Sequence, residues 1–430
     1  MRQTVNIISL GCSKNLVDTE LLMKQLEKAG YAVEIDVEES TAGVVVVNTC
    51  GFIGDAKEES VNTILEQVER KRTGSVERVF VMGCLSQRYA GELKREIPEV
   101  DAWFGKFDWK GILTALGEQY HEAFRDERCL TTPSHYAYLK ISEGCDRTCS
   151  YCAIPLMTGH HVSRPFEEII REAEQLAAGG VKELLVVAQD TTYYGVDRYG
   201  KNRLAELVDR LAAIPGIEWI RLHYAYPAGF PLDLLAVMRE RPNVCNYLDI
   251  ALQHCSDRML RLMRRGVTGP QTRALVRKIR QEVPGIVLRT TLMTGHPGES
   301  VADFREMLDF VSEMKFERLG IFPYSHEEDT YCYKHYRDDV PGRIKHERAE
   351  EIMERQRQVS ADFNAGRIGQ RVRVLIDRVE GDGYVGRTEY DSPEVDPEVF
   401  IRRPAGELLQ VGTFREFTIT SADDYDIYVT

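Results

Sequence analysis

The sequence lacks any long hydrophobic run. Its apolar stretches are short, such as Val44–Val47 and Leu184–Ala188, whereas a membrane-spanning helix needs about 20 consecutive apolar residues. The strand-like segment Val5–Leu10 is also too short for the apolar part of a signal peptide, and Gly11 follows it directly. We therefore expect no membrane partner and a cytoplasmic location.

Basic residues are scarce relative to acidic ones. The chain has 55 Lys and Arg against 68 Asp and Glu, which gives a formal net charge of −13. A chain with this balance has no long-range attraction to a polyphosphate backbone. The average surface therefore favours a basic partner over a nucleic acid.

Disulfides are not expected among the ten cysteines, because a cytoplasmic compartment keeps thiols reduced. Metal binding or thiol chemistry is the better interpretation. Six cysteines form two groups. The loop triad comprises Cys145, Cys149 and Cys152, and the edge triad comprises Cys12, Cys50 and Cys84. The other four are scattered and are interpreted as small hydrophobic residues: Cys129, Cys245, Cys255 and Cys332.

The loop triad has the compact spacing C-x3-C-x2-C. Three thiolates can hold three corners of a cubane iron–sulfur cluster and leave the fourth iron open, as a catalytic metal site requires. S-adenosylmethionine can chelate that iron through its amino and carboxylate groups. The alternative is a zinc knuckle, which usually has a second C-x2-C pair. Only His160 and His161 are nearby candidates for a fourth zinc ligand, so the spacing favours the cluster.

Residues 1–125 alternate strand and helix patterns, with buried strands at Val5–Leu10, Val44–Val47 and Val79–Met82. Asn15 is predicted to be the N-cap of the first helix. This alternation predicts a parallel sheet with helices on both faces. Each cysteine of the edge triad follows one of the three strands in a glycine-flanked turn. Because ligand sites form at the carboxyl ends of parallel strands, we expect these cysteines to converge and to hold a second cluster. The alternative is three buried core cysteines.

From about residue 135 to 330 the pattern predicts an open six-stranded (β/α)6 partial TIM barrel, with the loop triad on its rim. The predicted strands are Tyr136–Ile141, Glu183–Ala188, Trp219–Tyr224, Tyr247–Leu252, Val287–Met293 and Arg318–Phe322. Residues 343–366 predict one charged helix. The fold class is thus α/β, with domains at 1–125, 131–366 (which includes the connecting helix) and 367–430.

The last domain is predicted to be a small antiparallel β-barrel. Its strands are expected at Val372–Ile376, Gly383–Thr388, Val399–Ile401 and Thr413–Ile419. From Gly369 onward it has seven Arg, no Lys and thirteen Asp or Glu, a formal charge of −6.

Several motifs together identify a family. The segments Ser9-Leu10-Gly11-Cys12, Asn48-Thr49-Cys50-Gly51-Phe52 and Gly83-Cys84-Leu85 resemble the auxiliary-cluster domain of the methylthiotransferase family of radical S-adenosylmethionine enzymes. Residues 141–155 and then Ser163-Arg164-Pro165 resemble its radical loop, and the C-terminal module resembles a TRAM domain. The segments Phe322-Pro323-Tyr324-Ser325, Gly386-Arg387-Thr388 and Tyr390–Asp396 resemble the RimO-type branch. One departure is His296, where Phe is commoner in the family.

The resemblance implies two 4Fe-4S clusters and S-adenosylmethionine as cofactors. In this family one S-adenosylmethionine methylates a sulfur at the auxiliary cluster, and a second is cleaved at the loop triad. The resulting radical abstracts hydrogen from the β-carbon of an aspartate in a small-subunit ribosomal protein of the S12 type. The carbon radical then takes the methylthio group. A flavodoxin- or ferredoxin-type protein is the expected electron donor.

The candidate contacts to S-adenosylmethionine are Tyr151, Gln189, Asp190 and Gln253. Tyr151 is expected either to pack near the adenine or to shield the cluster. Gln189 and Asp190 end a strand where related enzymes bind the methionine amino group; the alternative is a solvated strand end. Gln253, with His254, could reach the ribose, or the histidine could simply be a satisfied residue of the rim.

Two other functions are compatible with parts of the sequence. The first is methylthiolation of a tRNA adenosine, because TRAM modules often bind RNA. The acidic charge of this module opposes phosphate binding and makes tRNA the less favoured partner. The second is a non-enzymatic assembly factor with a structural metal centre.

Overall fold

The computed structural model describes residues 3–402 and 408–430. The N-terminal unit is a five-stranded parallel sheet in the order β2-β1-β3-β4-β5. Its elements are β1 (Thr4–Ser9), α1 (Ser13–Lys28), β2 (Ala32–Ile35), β3 (Val44–Thr49), α2 (Gly54–Arg72), β4 (Arg78–Gly83), α3 (Cys84–Glu96), β5 (Ala102–Trp103) and α4 (Trp109–Ala115).

Helices cover both faces of this sheet, as the alternating pattern predicts. Leu22 of α1 and Ile112 of α4 pack on one face, and Ile64 of α2 and Leu85 of α3 pack on the other. The strand order reverses between β1 and β3, which is where sheets of this order bind ligands. The strands β2 and β5 are additional to the three predicted.

The predicted N-cap of α1 is wrong. The helix begins at Ser13 with Cys12 as its N-cap, and Asn15 lies inside the first turn. The Asn15 side-chain amide instead donates to Leu10 O at 3.1 Å and Thr49 O at 3.0 Å. It therefore ties the ends of β1 and β3 together.

The central unit confirms the open six-stranded barrel, with parallel strands in the order β6-β9-β10-β11-β12-β13. Its first elements are β6 (Tyr136–Lys140), β7 (Ser142–Glu143), α5 (Ile154–Thr158), β8 (Val162–Ser163), α6 (Phe166–Ala178), β9 (Glu183–Val187), α7 (Val196–Tyr199), α8 (Leu204–Ala212), β10 (Trp219–Ala225) and α9 (Asp233–Glu240). The rest are β11 (Val244–Gln253), α10 (Asp257–Leu262), α11 (Gly269–Glu282), β12 (Val287–Thr294), α12 (Val301–Met314), β13 (Arg318–Pro323), α13 (Tyr331–His335) and α14 (Gly342–Ala365). The last helix is the predicted charged helix.

The C-terminal unit is a closed five-stranded barrel in the order β14-β15-β16-β18-β17. Its strands are β14 (Arg371–Glu380), β15 (Gly383–Arg387), β16 (Val399–Ile401), β17 (Phe414–Ala422) and β18 (Ile427–Val429). Four strands match the predicted ones, and β18 is additional. The strands pair in antiparallel fashion, as predicted, except for β16 and the additional strand β18, which pair in parallel.

The C-terminal barrel packs against the amino-terminal halves of the central strands. Arg318 Nη2, at the start of β13, lies 2.6 Å from Asp391 Oδ1, and Arg289 Nε of β12 lies 3.2 Å from Asp396 Oδ1. These acidic residues are buried in ion pairs and are unavailable to a partner. The formal charge of −6 therefore overstates the acidic surface that this module can present.

The N-terminal unit covers the β6 edge of the open barrel. Val17 of α1 packs with Tyr136, Tyr138 and Leu185 on the inner surface of the barrel. The carboxyl ends of the two parallel sheets therefore lie next to each other. No helix in the described part of the chain is both long and apolar enough to cross a membrane.

Candidate active site

The loop triad lies on the segment that follows β7, and Gly144 sets the path of this segment. The φ of Gly144 is +78°, and a β-carbon there would lie 1.9 Å from the carbonyl oxygen of His160. Only glycine fits this approach. The Cys145 N–H then donates to Gly159 O at 3.1 Å, which closes the loop against the chain beyond the triad.

Cys149 lies between two polar side chains of the barrel. Arg265 Nη1 donates to Cys149 Sγ at 3.3 Å, and Tyr226 Oη lies 3.5 Å from the same sulfur. Burial, and then the neighbouring thiol of Cys149, raises the pKa of Cys152. Burial likewise raises the pKa of Cys145 to about 11. The Cys145 and Cys152 thiols therefore resist ionisation unless a metal centre compensates their charge.

The structure brings the edge triad together at the reversal of strand order. A β-carbon on Gly11 would lie 3.3 Å from Cys50 Sγ, so the chain entering Cys12 passes directly over Cys50. Cys84 Sγ donates to Asn15 Oδ1 at 3.6 Å. Asn15 thus joins the ends of β1, β3 and β4 through one side chain.

The two triads are neighbours across the boundary between the N-terminal unit and the barrel. Cys84 packs with Ala153, which follows Cys152 directly in the chain, and with Met157 in the helix that comes next. Lys106 Nζ, beyond β5, donates to Glu143 Oε1 at 2.7 Å, two residues before the loop triad. Both sets of thiols therefore border one region.

Relatives of this chain match it over nearly its whole length. It is 60% identical over 427 residues to the "ribosomal protein uS12 methylthiotransferase RimO" of Porphyromonas gingivalis, with 99% of this chain and 98% of that one covered. The proteins of the same name from Bacteroides fragilis and Christiangramia forsetii are 58% and 53% identical, with 99% of this chain and 99% and 94% of theirs covered. The chain belongs to the RimO methylthiotransferase family.

Three segments of this RimO-family chain each match a different protein family. Residues 4–105 match an uncharacterized protein family, UPF0004, residues 139–311 match the radical SAM superfamily, and residues 368–430 match the TRAM domain. The fold resembles the radical S-adenosylmethionine methyltransferase TsrM from Kitasatospora setae, with TM-score 0.56, 16% identity and coverage of 75% of this chain and 73% of that one. It also resembles the cobalamin-dependent enzyme OxsB, with TM-score 0.53, 13% identity and coverage of 82% and 56%.

Membership of the radical SAM superfamily implies a 4Fe-4S cluster and S-adenosylmethionine, and the loop triad fits that cluster. In the described residues no group of three or more His, Cys, Asp or Glu side chains is placed to hold a single metal ion. A cubane places each thiolate on a different iron and so accepts a wider spacing.

Three of the four candidate contacts to S-adenosylmethionine already have protein partners. Tyr151 Oη accepts from Arg265 at 3.2 Å, and the Gln189 amide donates to Glu143. Asp190 is buried and pairs with Arg147 Nε at 2.7 Å, so its interpretation as a solvated strand end is wrong. Gln253 is half-buried at the end of β11 with φ of +71°. His254 is fully buried, and its Nδ1 accepts from two backbone N–H groups.

Several residues of the site could not be found from the sequence. Arg265, which contacts the loop triad, lies in no motif, and Lys106 is a lone lysine after a two-residue strand. The positions of Lys14 and Asn15 close to Cys12 are a weak indication in the sequence that these two residues belong to the site. Of the four scattered cysteines, Cys245, Cys255 and Cys332 are buried, and Cys129 is half-buried.

Proposed function

We propose that this protein adds a methylthio group to the β-carbon of an aspartate in the ribosomal protein uS12. Relatives named ribosomal protein uS12 methylthiotransferase match 99% of the chain. The observation that carries the proposal is the packing of Cys84 against Ala153 and Met157, beside Cys152. A sulfur donor and a radical source must both reach one carbon atom, and this packing brings the two thiol groups together.

In this proposal the loop triad holds one 4Fe-4S cluster and the edge triad holds a second. When bound, the cluster on the loop triad supplies the electron that cleaves S-adenosylmethionine. Arg265 links Cys149 to the Tyr151 hydroxyl and so fixes the tyrosine next to the cofactor. Gly144 holds the loop closed. The packing of Cys84 against Ala153 and Met157 shields that side of the site from water.

The proposed contacts to S-adenosylmethionine are Tyr151, Gln189, Asp190 and Gln253. Asp190 orients Arg147 on the loop, and Gln189 has its amide oxygen buried without a hydrogen-bond donor. An ammonium group of the cofactor is the type of donor that this oxygen would accept. The proposed domains are residues 1–125, 131–366 and 367–430.

The partners in this proposal are the basic protein uS12, free or on the ribosome, and a flavodoxin- or ferredoxin-type electron donor in the cytoplasm. Methylthiolation of tRNA is less well supported. Arg289 and Arg318 are the kind of residue that could bind phosphate, but both are paired with acidic residues of the C-terminal barrel.

The substrate can be tested in a strain that lacks the gene. We expect mass spectrometry to show that uS12 has hydrogen in place of the methylthio group, and that the modification of bulk tRNA is unchanged. An unmodified tRNA adenosine together with normal uS12 would show that the proposed substrate is wrong.

The separate roles of the triads can be tested with Cys149→Ala and Cys50→Ala. The first change should abolish cleavage of S-adenosylmethionine and remove about one cluster's worth of iron. The second should leave cleavage intact and abolish sulfur transfer. Cys129→Ala, in a half-buried cysteine outside both triads, is the matched control and should do neither. Full function of Cys149→Ala would instead favour a structural metal centre.

A further inference from the structure

Lys14 is a buried lysine at the boundary between the N-terminal unit and the barrel. It lies in the first turn of α1, two residues after Cys12, and only 8% of it is exposed. Its Nζ lies 3.5 Å from the centre of the Tyr224 ring. Burying an ammonium group is unfavourable unless it gains a partner of opposite charge.

The other cations of this region have such partners, or bind the loop triad. Lys106 and Lys140 both pair with Asp18 and Glu143, and Arg265 donates to Cys149 and Tyr151. Arg147 pairs with Asp190, and Arg289 pairs with Asp249 and Asp396. Within residues 3–402 and 408–430, no carboxylate lies at ion-pair distance from Lys14. The first turn of α1 also contains no acidic residue.

Tyr224 adopts an energetically unfavourable backbone conformation. Its φ is +58°, a conformation that an aromatic residue rarely adopts. The Tyr224 N–H donates to Asp249 Oδ2 at 3.2 Å, which holds this conformation at the carboxyl end of β10. The ring supports the lysine by a cation–π contact, and the charge of Lys14 also interacts with the Cys12 thiol two residues away, but no carboxylate of the described residues neutralises it. Strain of this kind at a strand end is typical of a functional site.

We propose that Lys14 binds the side-chain carboxylate of the substrate aspartate. This inference rests on the proposed function and adds the group that recognises the target. The carboxylate carbon is bonded directly to the β-carbon that receives the methylthio group. If Lys14 binds this carboxylate, the reacting β-carbon lies one bond from the bound group and beside Cys12 of the edge triad. The amino-terminal end of α1 favours the same negative charge.

The charge also explains selection of aspartate. Asparagine has nearly the same shape but leaves the Lys14 charge unpaired, whereas aspartate neutralises it. A charge-assisted hydrogen bond in a buried site discriminates by roughly tenfold to a hundredfold in affinity. Lys14 is thus a binding residue that sets specificity.

The test uses the full chain with both clusters reconstituted anaerobically, and purified uS12 with either the target aspartate or asparagine at that position. Fluorescence anisotropy measures the Kd of each pair. We expect wild type to bind the aspartate form about tenfold tighter or more. Lys14→Met should remove this difference by weakening only the aspartate form, and Lys14→Arg should retain most of it. Lys28→Met, an exposed lysine at the other end of α1, is the matched control and should behave as wild type.

Iron and sulfide content and cleavage of S-adenosylmethionine report whether the variants keep both clusters. Equal affinity of wild type for the two forms of uS12, with methylthiolation of the aspartate form intact, would overturn the role of Lys14 alone, and this comparison needs no variant. Undiminished discrimination by Lys14→Met would do the same. Failure of wild type to methylthiolate uS12 at all would overturn the proposed function, and the role of Lys14 with it.

Discussion

His296 shows how one residue that departs from the family pattern fits its surroundings. It is fully buried behind the loop triad, not in contact with solvent. Its Nδ1–H donates to Pro297 O at 3.0 Å, and its Nε2 accepts from Ser150 Oγ at 3.1 Å. Burial lowers its pKa to about 4, so the imidazole is neutral at physiological pH. The histidine therefore supports the chain between Cys149 and Tyr151.

This residue predicts a pH dependence of stability. The unfolded chain binds a proton at His296 below about pH 6.5, whereas the folded chain does so only below pH 4, so stability falls as the pH falls between those values. For the wild-type protein without clusters, we expect the contribution of His296 to the free energy of unfolding to fall by about 2 kcal/mol between pH 7 and pH 5. Denaturant unfolding of His296→Phe should lack this part of the loss. An equal loss in both proteins would contradict the assignment.

Single residues could be predicted from the sequence only where their spacing carried chemistry. The loop triad is compact, and the edge triad follows three recognisable strands, so both could be found. The pairs Lys106–Glu143 and Arg265–Cys149 could not, because each joins residues far apart in the chain and depends on how two units pack. The missing partner of Lys14 is likewise a property of the packed structure.

At the scale of elements, the buried parallel strands were the most predictable. Strand β3 is buried at every position and begins with four consecutive valines, which is typical of a strand covered on both faces. Strand β5 has two residues and β18 has three, too few for a periodic pattern. The start of α1 was misplaced because Asn15 has the side chain of a good N-cap but uses it between strands.

The loop between β7 and β8 predicts a contrast between two glycines. Gly144→Ala would place a β-carbon 1.9 Å from His160 O, so the loop must shift and the triad should lose most of its iron. Gly159→Ala also has a positive φ, with ψ of −157°, but meets no atom within 4 Å, so only about 1–3 kcal/mol of backbone strain is expected. Iron content after anaerobic reconstitution measures the difference. Equal iron in the two variants would show that the loop tolerates the shift.

At the scale of the molecule, buried ion pairs join the C-terminal barrel to the central one. Arg387 Nη2 of β15 lies 2.8 Å from Glu183 Oε2 of β9, and both side chains are almost fully buried. Arg221 shares the same carboxylate at 2.8 Å. Charges of this kind fix one orientation of the two barrels, because any other leaves them unpaired.

Removing one member of this network should be costly. Arg387→Met leaves the buried carboxylates of Glu183 and Asp377 with too few cations. We expect the free energy of unfolding to fall by roughly 3–5 kcal/mol, with little dependence on salt. Arg378→Met breaks exposed pairs with Glu380 and Glu398 in the same barrel and should cost at most about 1 kcal/mol. Denaturant unfolding at low and high salt compares them. Similar losses in both variants would mean that the buried network does not stabilise the joined barrels.

The same network has a consequence for synthesis of the chain. His135, just before β6, pairs with Asp377, 242 residues later in the sequence. Glu183 must likewise wait for Arg387. Because translation adds residues in order, the central barrel emerges from the ribosome before Asp377 and Arg387 are available to His135 and Glu183, and its amino-terminal end is then open. The native state is complete only when the last domain has been made. A chain released before that point contains all six cysteines of the two triads but lacks the residues that stabilise the amino-terminal end of its central barrel.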